Sequence, residues 1–107
     1  MSEFTTEWFK VDPDGKGVLK IDGDIDMAAG PVLRKAMLEQ EEQGDVVLDL
    51  SGVSFIDSSG LRTLLDEARR ADERGNTLTL RQAGPEVRRL LEITGTTSKF
   101  TMEQPRD

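Results

Sequence analysis

Asp57-Ser58-Ser59-Gly60 is the stretch of this chain whose residue types and spacing best suit a specific chemistry. It follows Val46 to Ile56, which begins as an apolar run, and it opens an amphipathic segment that carries Leu61, Leu64, Leu65 and Ala68 at helical spacing. Two hydroxyls therefore fall on a helix N-terminus with a glycine beside them. The first turn of a helix has unpaired N–H groups and a partial positive charge, which suits a phosphate or a hydroxyl that is to receive one. On the chemistry alone, capping is the commoner role for Ser or Asp at this position and phosphate acceptance the rarer one. One of the two serines is expected to cap the helix while the other faces outward, and spacing does not choose between them. Gly60 either serves a tight first turn or leaves room for another protein to approach the hydroxyl.

The elements that must position this block can be read on both sides of it. Trp8 to Val11 and Val18 to Asp22 are predicted strands joined by the dense turn signal Pro13-Asp14-Gly15-Lys16-Gly17. Gly23-Asp24-Ile25-Asp26 follows as a loop. A helix is predicted from Ala28 to Gln43, with Asp26 as its cap and Pro31 in its first turn. Val46 to Leu50 reads as a central strand covered on both faces. The helix from Ser58 to Arg74 is expected to pair Asp66 with Arg70 on its outer face, and Gly75-Asn76 to end it. Thr77 to Arg81 is a further strand, Pro85 to Thr94 a last helix, and Lys99 to Met102 a short edge strand. Strands and helices alternating after an initial hairpin predict an α/β domain with a mixed sheet. The whole chain, residues 1–107, is expected to be one domain, with the ends, 1–6 and 103–107, frayed.

Composition removes most other chemistries. The chain has 107 residues and neither His nor Cys, so Ser-His-Asp and Cys-His nucleophilic systems and ordinary zinc sites are excluded. There is no phosphate-binding Gly-rich loop ending in Lys-Ser/Thr and no dinucleotide fingerprint. Asp12 to Gly17 begins like a calcium loop, but Lys16 occupies its fifth position and Gly23 its twelfth, where a bidentate Glu is required. Asp49 invites comparison with a phosphorylated receiver aspartate, yet Leu50 continues the apolar run beyond it. An Asp on the exposed side of the strand, or bonded to a nearby N–H, is the expected reading. No cofactor and no metal are expected. A net charge of −7 without a basic stripe argues against nucleic acid and anionic membranes as partners. With no apolar stretch of membrane-spanning length and no signal peptide at Met1, a cytoplasmic protein is expected. Oligomeric state is open, and with no strong exposed apolar stripe a monomer is favoured over a stable dimer.

Gly23-Asp24-Ile25-Asp26 and the block from Val46 to Leu65, centred on Phe55-Ile56-Asp57-Ser58-Ser59-Gly60-Leu61, resemble the STAS domain, and more closely the bacterial anti-sigma factor antagonists. The resemblance extends from the first hairpin through Pro85-Glu86-Val87-Arg88-Arg89-Leu90-Leu91. It implies a single STAS domain, a mixed sheet of four to five strands packed with three to four helices. It also implies a binding protein in a partner-switching system of transcription regulation rather than an enzyme. Such an antagonist binds an anti-sigma factor, which releases its sigma factor; the anti-sigma factor is also a serine kinase that phosphorylates the antagonist and switches binding off, and a serine phosphatase restores it. Carried over by motif, the phosphorylated residue is Ser58, and the partner surface comprises Asp24, Asp26, Met27, Asp57, Ser58, Ser59, Gly60 and Leu61. The alternative is a STAS scaffold or subunit of a transport assembly that is not phosphorylated. Two departures from the family pattern lie at the C-terminal end: Thr96-Thr97-Ser98 follow Gly95 where a hydrophobic residue is common, and a final helix after Phe100 must be absent or very short.

Overall fold

A computed structural model describes residues 4–41 and 44–103. The elements run β1 (Phe9–Pro13), β2 (Val18–Gly23), α1 (Ala29–Glu41), β3 (Val46–Gly52), α2 (Ser58–Glu73), β4 (Leu78–Arg81), α3 (Pro85–Thr94) and β5 (Thr101–Glu103), with a 3-10 turn at Thr97–Lys99. The strands lie in the sheet in chain order. β1 pairs antiparallel with β2, and β2 through β5 are parallel to one another, so this is the expected mixed sheet in an α/β fold. The end of α1 expected at Gln43 lies outside the described residues.

Alternation along the strands decides where the core sits. Phe9 and Val11, Leu19 and Ile21, Val46, Leu48 and Leu50, and Leu78 and Leu80 are all buried. They meet Leu33, Ala36 and Met37 of α1, Leu61 and Leu64 of α2, and Val87 and Leu91 of α3 in one cluster. The intervening strand positions carry Lys10, Asp12, Lys20, Asp22, Asp49, Ser51, Thr79 and Arg81. β3 is therefore covered on one face only, not on both as its run of apolar residues predicts. Val47 is half-buried, and Asp49 and Ser51 share its open side. There Asp49 accepts the Ser51 amide at 2.9 Å, the local role expected of it, and Lys20 lies 3.6 Å from Asp22.

Turns are closed by residues that need their own geometry. In the β1–β2 turn the amides of Lys16 and Val18 donate to Asp14 Oδ1, which holds this exposed carboxyl below its ordinary pKa. Gly75 takes a left-handed φ of 77° after α2, where a side chain would be strained. At the two ends, Phe4 is buried, Thr5 bridges to Lys10, and Glu103 lies in β5 with its carboxylate 3.1 Å from Arg81, all inside the stretches expected to fray. Phe100 is buried as well, so the 3-10 turn and β5 complete the packing after Gly95.

The charged side of α2 differs from its expected form. Arg69, not Arg70, reaches Asp66, at 3.6 Å, and the same guanidinium lies 3.6 Å from Glu73. Arg70 turns instead toward Glu67, which is only 2% exposed and sits between α2 and α1. Arg34 of α1 donates to Glu67 at 3.2 Å. A carboxylate taken this far from water needs cationic partners, so this cross-helix pair matters more than the exposed pairs on the open sheet face. Arg34→Ala is expected to lower unfolding stability by about 1–3 kcal/mol, against less than about 1 kcal/mol for Lys10→Ala, as read by urea denaturation.

Candidate functional site

Ile25 brings the candidate residues together. It leaves the end of β2, forms a single parallel bridge with Ile56, and receives backbone bonds from both directions. Its amide donates to Phe55 O at 3.0 Å, and Asp57 N donates to Ile25 O at 3.4 Å. The side chains of Ile25 and Ile56 are buried. The β2–α1 loop, Asp24 to Ala28, is thereby fastened beside the segment that leads into α2.

Asp57 is the N-cap of α2, in an extended conformation with φ −106° and ψ −176°. Its Oδ1 accepts the Gly60 amide at 2.8 Å, and its carbonyl accepts the Leu61 amide at 2.9 Å. The expectation that one of the two serines caps the helix is thus corrected: the aspartate before them already holds that position, and a cap can be filled only once. Asp26 does the equivalent work for α1, accepting the Ala29 amide at 3.1 Å as expected.

The remaining site residues divide by exposure. Ser58 stands at the first helical position and is exposed, and no hydrogen bond occupies its hydroxyl among the described residues. Ser59 is half-buried, with its carbonyl accepting Thr63 Oγ1 at 3.2 Å. The amides of Ser58 and Ser59 also meet no acceptor among the described residues, so the open donors of the helix end lie beside the free hydroxyl. Met27 is 76% exposed, and Asp24 is half-buried. Gly60 and Leu61 are buried. Leu61 faces the core and offers nothing to a partner. A Cβ on Gly60 would overlap the Ile25 carbonyl, so the missing side chain admits the neighbouring loop of this chain, not an approaching kinase.

Two exposed aromatics at this end escaped the sequence reading. Phe55, 50% exposed, immediately precedes Ile56, and Trp8, 70% exposed, precedes β1. Trp8 O accepts the Asp24 amide at 3.3 Å, which places β1's first turn beside the same loop. A signal was present: in the strand pattern, buried Phe9 forces Trp8 to the opposite side.

This arrangement presents an exposed hydroxyl at a helix N-terminus within a partly exposed surface. No group of three or more Asp and Glu residues among the described residues could hold a metal ion. No helix among them is long and apolar enough to cross a membrane.

The cap and the glycine have separable effects. Asp57→Ala removes one charged acceptor from the helix end and is expected to cost about 1 kcal/mol, a fall in melting temperature of about 4–8 °C. Gly60→Ala forces backbone apart and is expected to cost more, about 1–3 kcal/mol, with amide chemical shifts moving at Ile25 as well as in α2.

Comparison with known proteins agrees with this geometry. The profile of the STAS domain matches residues 10–106. The chain is 35% identical over 78 residues to the anti-sigma-B factor antagonist of Bacillus subtilis, covering 72% of each. It is 26% identical over 81 residues to the anti-sigma F factor antagonist of Paenibacillus polymyxa, covering 73% of this chain and 69% of that one. Among solved structures, an anti-sigma factor antagonist from Mycobacterium paratuberculosis superposes with a TM-score of 0.77 at 25% identity, over 94% of this chain and 90% of that one. With a bridged Ile25 loop, an Asp57-capped helix and the matched profile in agreement, the chain belongs to the STAS domain family, among its anti-sigma factor antagonists.

Proposed function

We propose that this chain acts as an anti-sigma factor antagonist whose binding is switched by phosphorylation of Ser58. The observation that carries the reading is the division of labour at the start of α2: Asp57 caps the helix, so the exposed Ser58 hydroxyl has no structural duty. Unmodified, the surface formed by Asp24, Asp26, Met27, Asp57, Ser58 and Ser59 binds an anti-sigma factor, which then gives up its sigma factor. Gly60 and Leu61 act from beneath by seating α2 against the loop and the core.

The anti-sigma factor is also the kinase. Ser58 Oγ attacks the terminal phosphorus of a nucleoside triphosphate held by that partner, the diphosphate leaves, and the hydroxyl proton passes to a base of the kinase. A serine phosphatase returns the hydroxyl by directing water to the phosphorus, releasing inorganic phosphate. The antagonist itself supplies only the acceptor.

Phosphate adds about −1.5 to −2 charge. At the first turn of α2 that charge is locally favoured by the helix dipole and the open amides, although the Asp57 carboxylate opposes it. The two local effects offset each other, so the modification acts on the interface rather than on the fold. There it replaces a small neutral hydroxyl in a packed contact with a bulky dianion, which cannot be buried without new partners. Cytoplasmic placement follows from such partners.

Phosphopeptide mass spectrometry on the protein from its native cells is expected to find phosphate on Ser58, with the modified fraction changing between growth and stress. Ser58→Ala should retain and capture a soluble kinase-like protein. Complete peptide coverage with Ser58 unmodified in every sample would overturn the switch and leave a constitutive binding module. Stability separates interface from fold: Ser58→Asp is expected to melt within about 5 °C of the unmodified chain while losing at least about tenfold in affinity for the captured kinase. A collapse of the melt would contradict a switch confined to the surface.

A further inference from the structure

We propose that Trp8, supported by Phe55 and Met27, is the apolar anchor of the partner-binding surface, and that the partner meets it with an apolar socket flanked by Lys or Arg. This rests on the reading of the Ser58 face as the surface that binds the anti-sigma factor. The anchor lies on a different element, ahead of β1.

Trp8 is the chain's one tryptophan, and it is 70% exposed although its neighbour Phe9 is only 3% exposed. It is not on a loose segment. Its amide donates to Thr6 Oγ1 at 3.3 Å, Thr6 N donates to Phe9 O at 2.7 Å, and Thr5 Oγ1 reaches the same carbonyl at 3.2 Å. From below, Gly23 passes so close to the Trp8 carbonyl that a Cβ there would overlap it. The backbone that presents the indole is thus fixed before any partner arrives. A large aromatic held in place and left in water contributes little to folding, yet loses little entropy on binding.

The backbone also makes this region continuous with the Ser58 face. Trp8 O accepts from Asp24, the next residue Ile25 donates to Phe55, and Asp57 donates back to Ile25. Of the large exposed apolar side chains, Trp8 and Phe55 therefore belong to segments bonded to the loop beside Ser58, and Met27 lies in that loop. Charge selects the kind of partner. Glu7 is exposed and Asp24 half-buried beside Trp8, and neither carboxylate has an ion-pair partner among the described residues. In contrast, Lys10 and Lys20 on the adjoining open face are paired with Asp12 and Asp22. An acidic border around an apolar centre is complemented by a cationic border around an apolar socket, which speeds encounter and sets orientation.

The test uses the full chain and the purified kinase captured with Ser58→Ala. Titration calorimetry is expected to show Trp8→Ala weakening the complex about 30-fold or more, with an unchanged melting temperature. Ile93→Ala, which removes a 70% exposed side chain from α3, should leave affinity within about twofold. Asp24→Asn should slow association at low salt and lose that effect at high salt. Independently of any substitution, fluorotryptophan in place of Trp8 gives one fluorine resonance, expected to shift and lose solvent exposure in the complex. If Ser58→Asp abolishes binding while Trp8→Ala changes it less than about twofold and the fluorine signal stays solvated, the anchor is wrong and the Ser58 switch stands. If Ser58→Asp binds as well as the unmodified chain, the functional reading itself fails.

Discussion

The close crossing of Ile25 over the start of α2 is the constraint on which the site depends. A parallel bridge to Ile56 and two backbone hydrogen bonds hold the crossing together, but Gly60 makes it possible. Any larger residue would push the β2–α1 loop off the helix end. Asp24, Asp26 and Met27 would then no longer stand beside Ser58, although each element on its own could still form. Gly60 thus contributes from beneath the surface, by the absence of a side chain on the buried side of the first turn.

That crossing also makes the Ser58 end stiff. Both helices that meet there are capped by aspartates, and their bodies are joined through Arg34 and the buried Glu67. The sheet beneath is covered on one side and solvated on the other, so the helical layer carries the whole apolar core. A hydroxyl mounted on such a frame has a defined position without the chain having to reorganise. Preorganisation of this kind favours recognition by fit, in which adding or removing one group decides the outcome.

Much of this order was legible in the residues. Period-two alternation located β2 and β4 within a residue, the turn signal at Pro13 to Gly17 separated β1 from β2, and Pro85 with Gly95 bracketed α3 at both ends. The resemblance of the Asp57 to Leu61 block led directly to the family. What escaped has specific physical causes. Val46-Val47-Leu48 is apolar on both sides of its strand, yet only the neighbouring Asp49 and Ser51 reveal that one face is open. Ser58, Ser59 and Asp57 are all good caps, and local preference cannot rank them; geometry awarded the position to the residue with extended φ and ψ. Glu67 looks like any charged residue on a solvated helix face until α1 is packed over it. The close approach at Gly60 joins residues 35 apart in the chain, a distance no local pattern spans.

The separation of cap and acceptor has a consequence for how a switch can be built at a helix end. If Ser58 capped α2 itself, phosphorylation would remove a structural hydrogen bond and add charge in one step, and stability would change along with binding. With Asp57 holding Gly60, the Ser58 oxygen is relieved of that duty, and in the proposed switch a phosphate there would leave the cap hydrogen bond in place. The same carboxylate puts negative charge next to the modification, which limits how strongly the helix end can retain a phosphate for itself. Under the proposed switch a phosphate on the exposed Ser58 would be directed outward, toward a partner on that surface, which is where a two-state signal is needed.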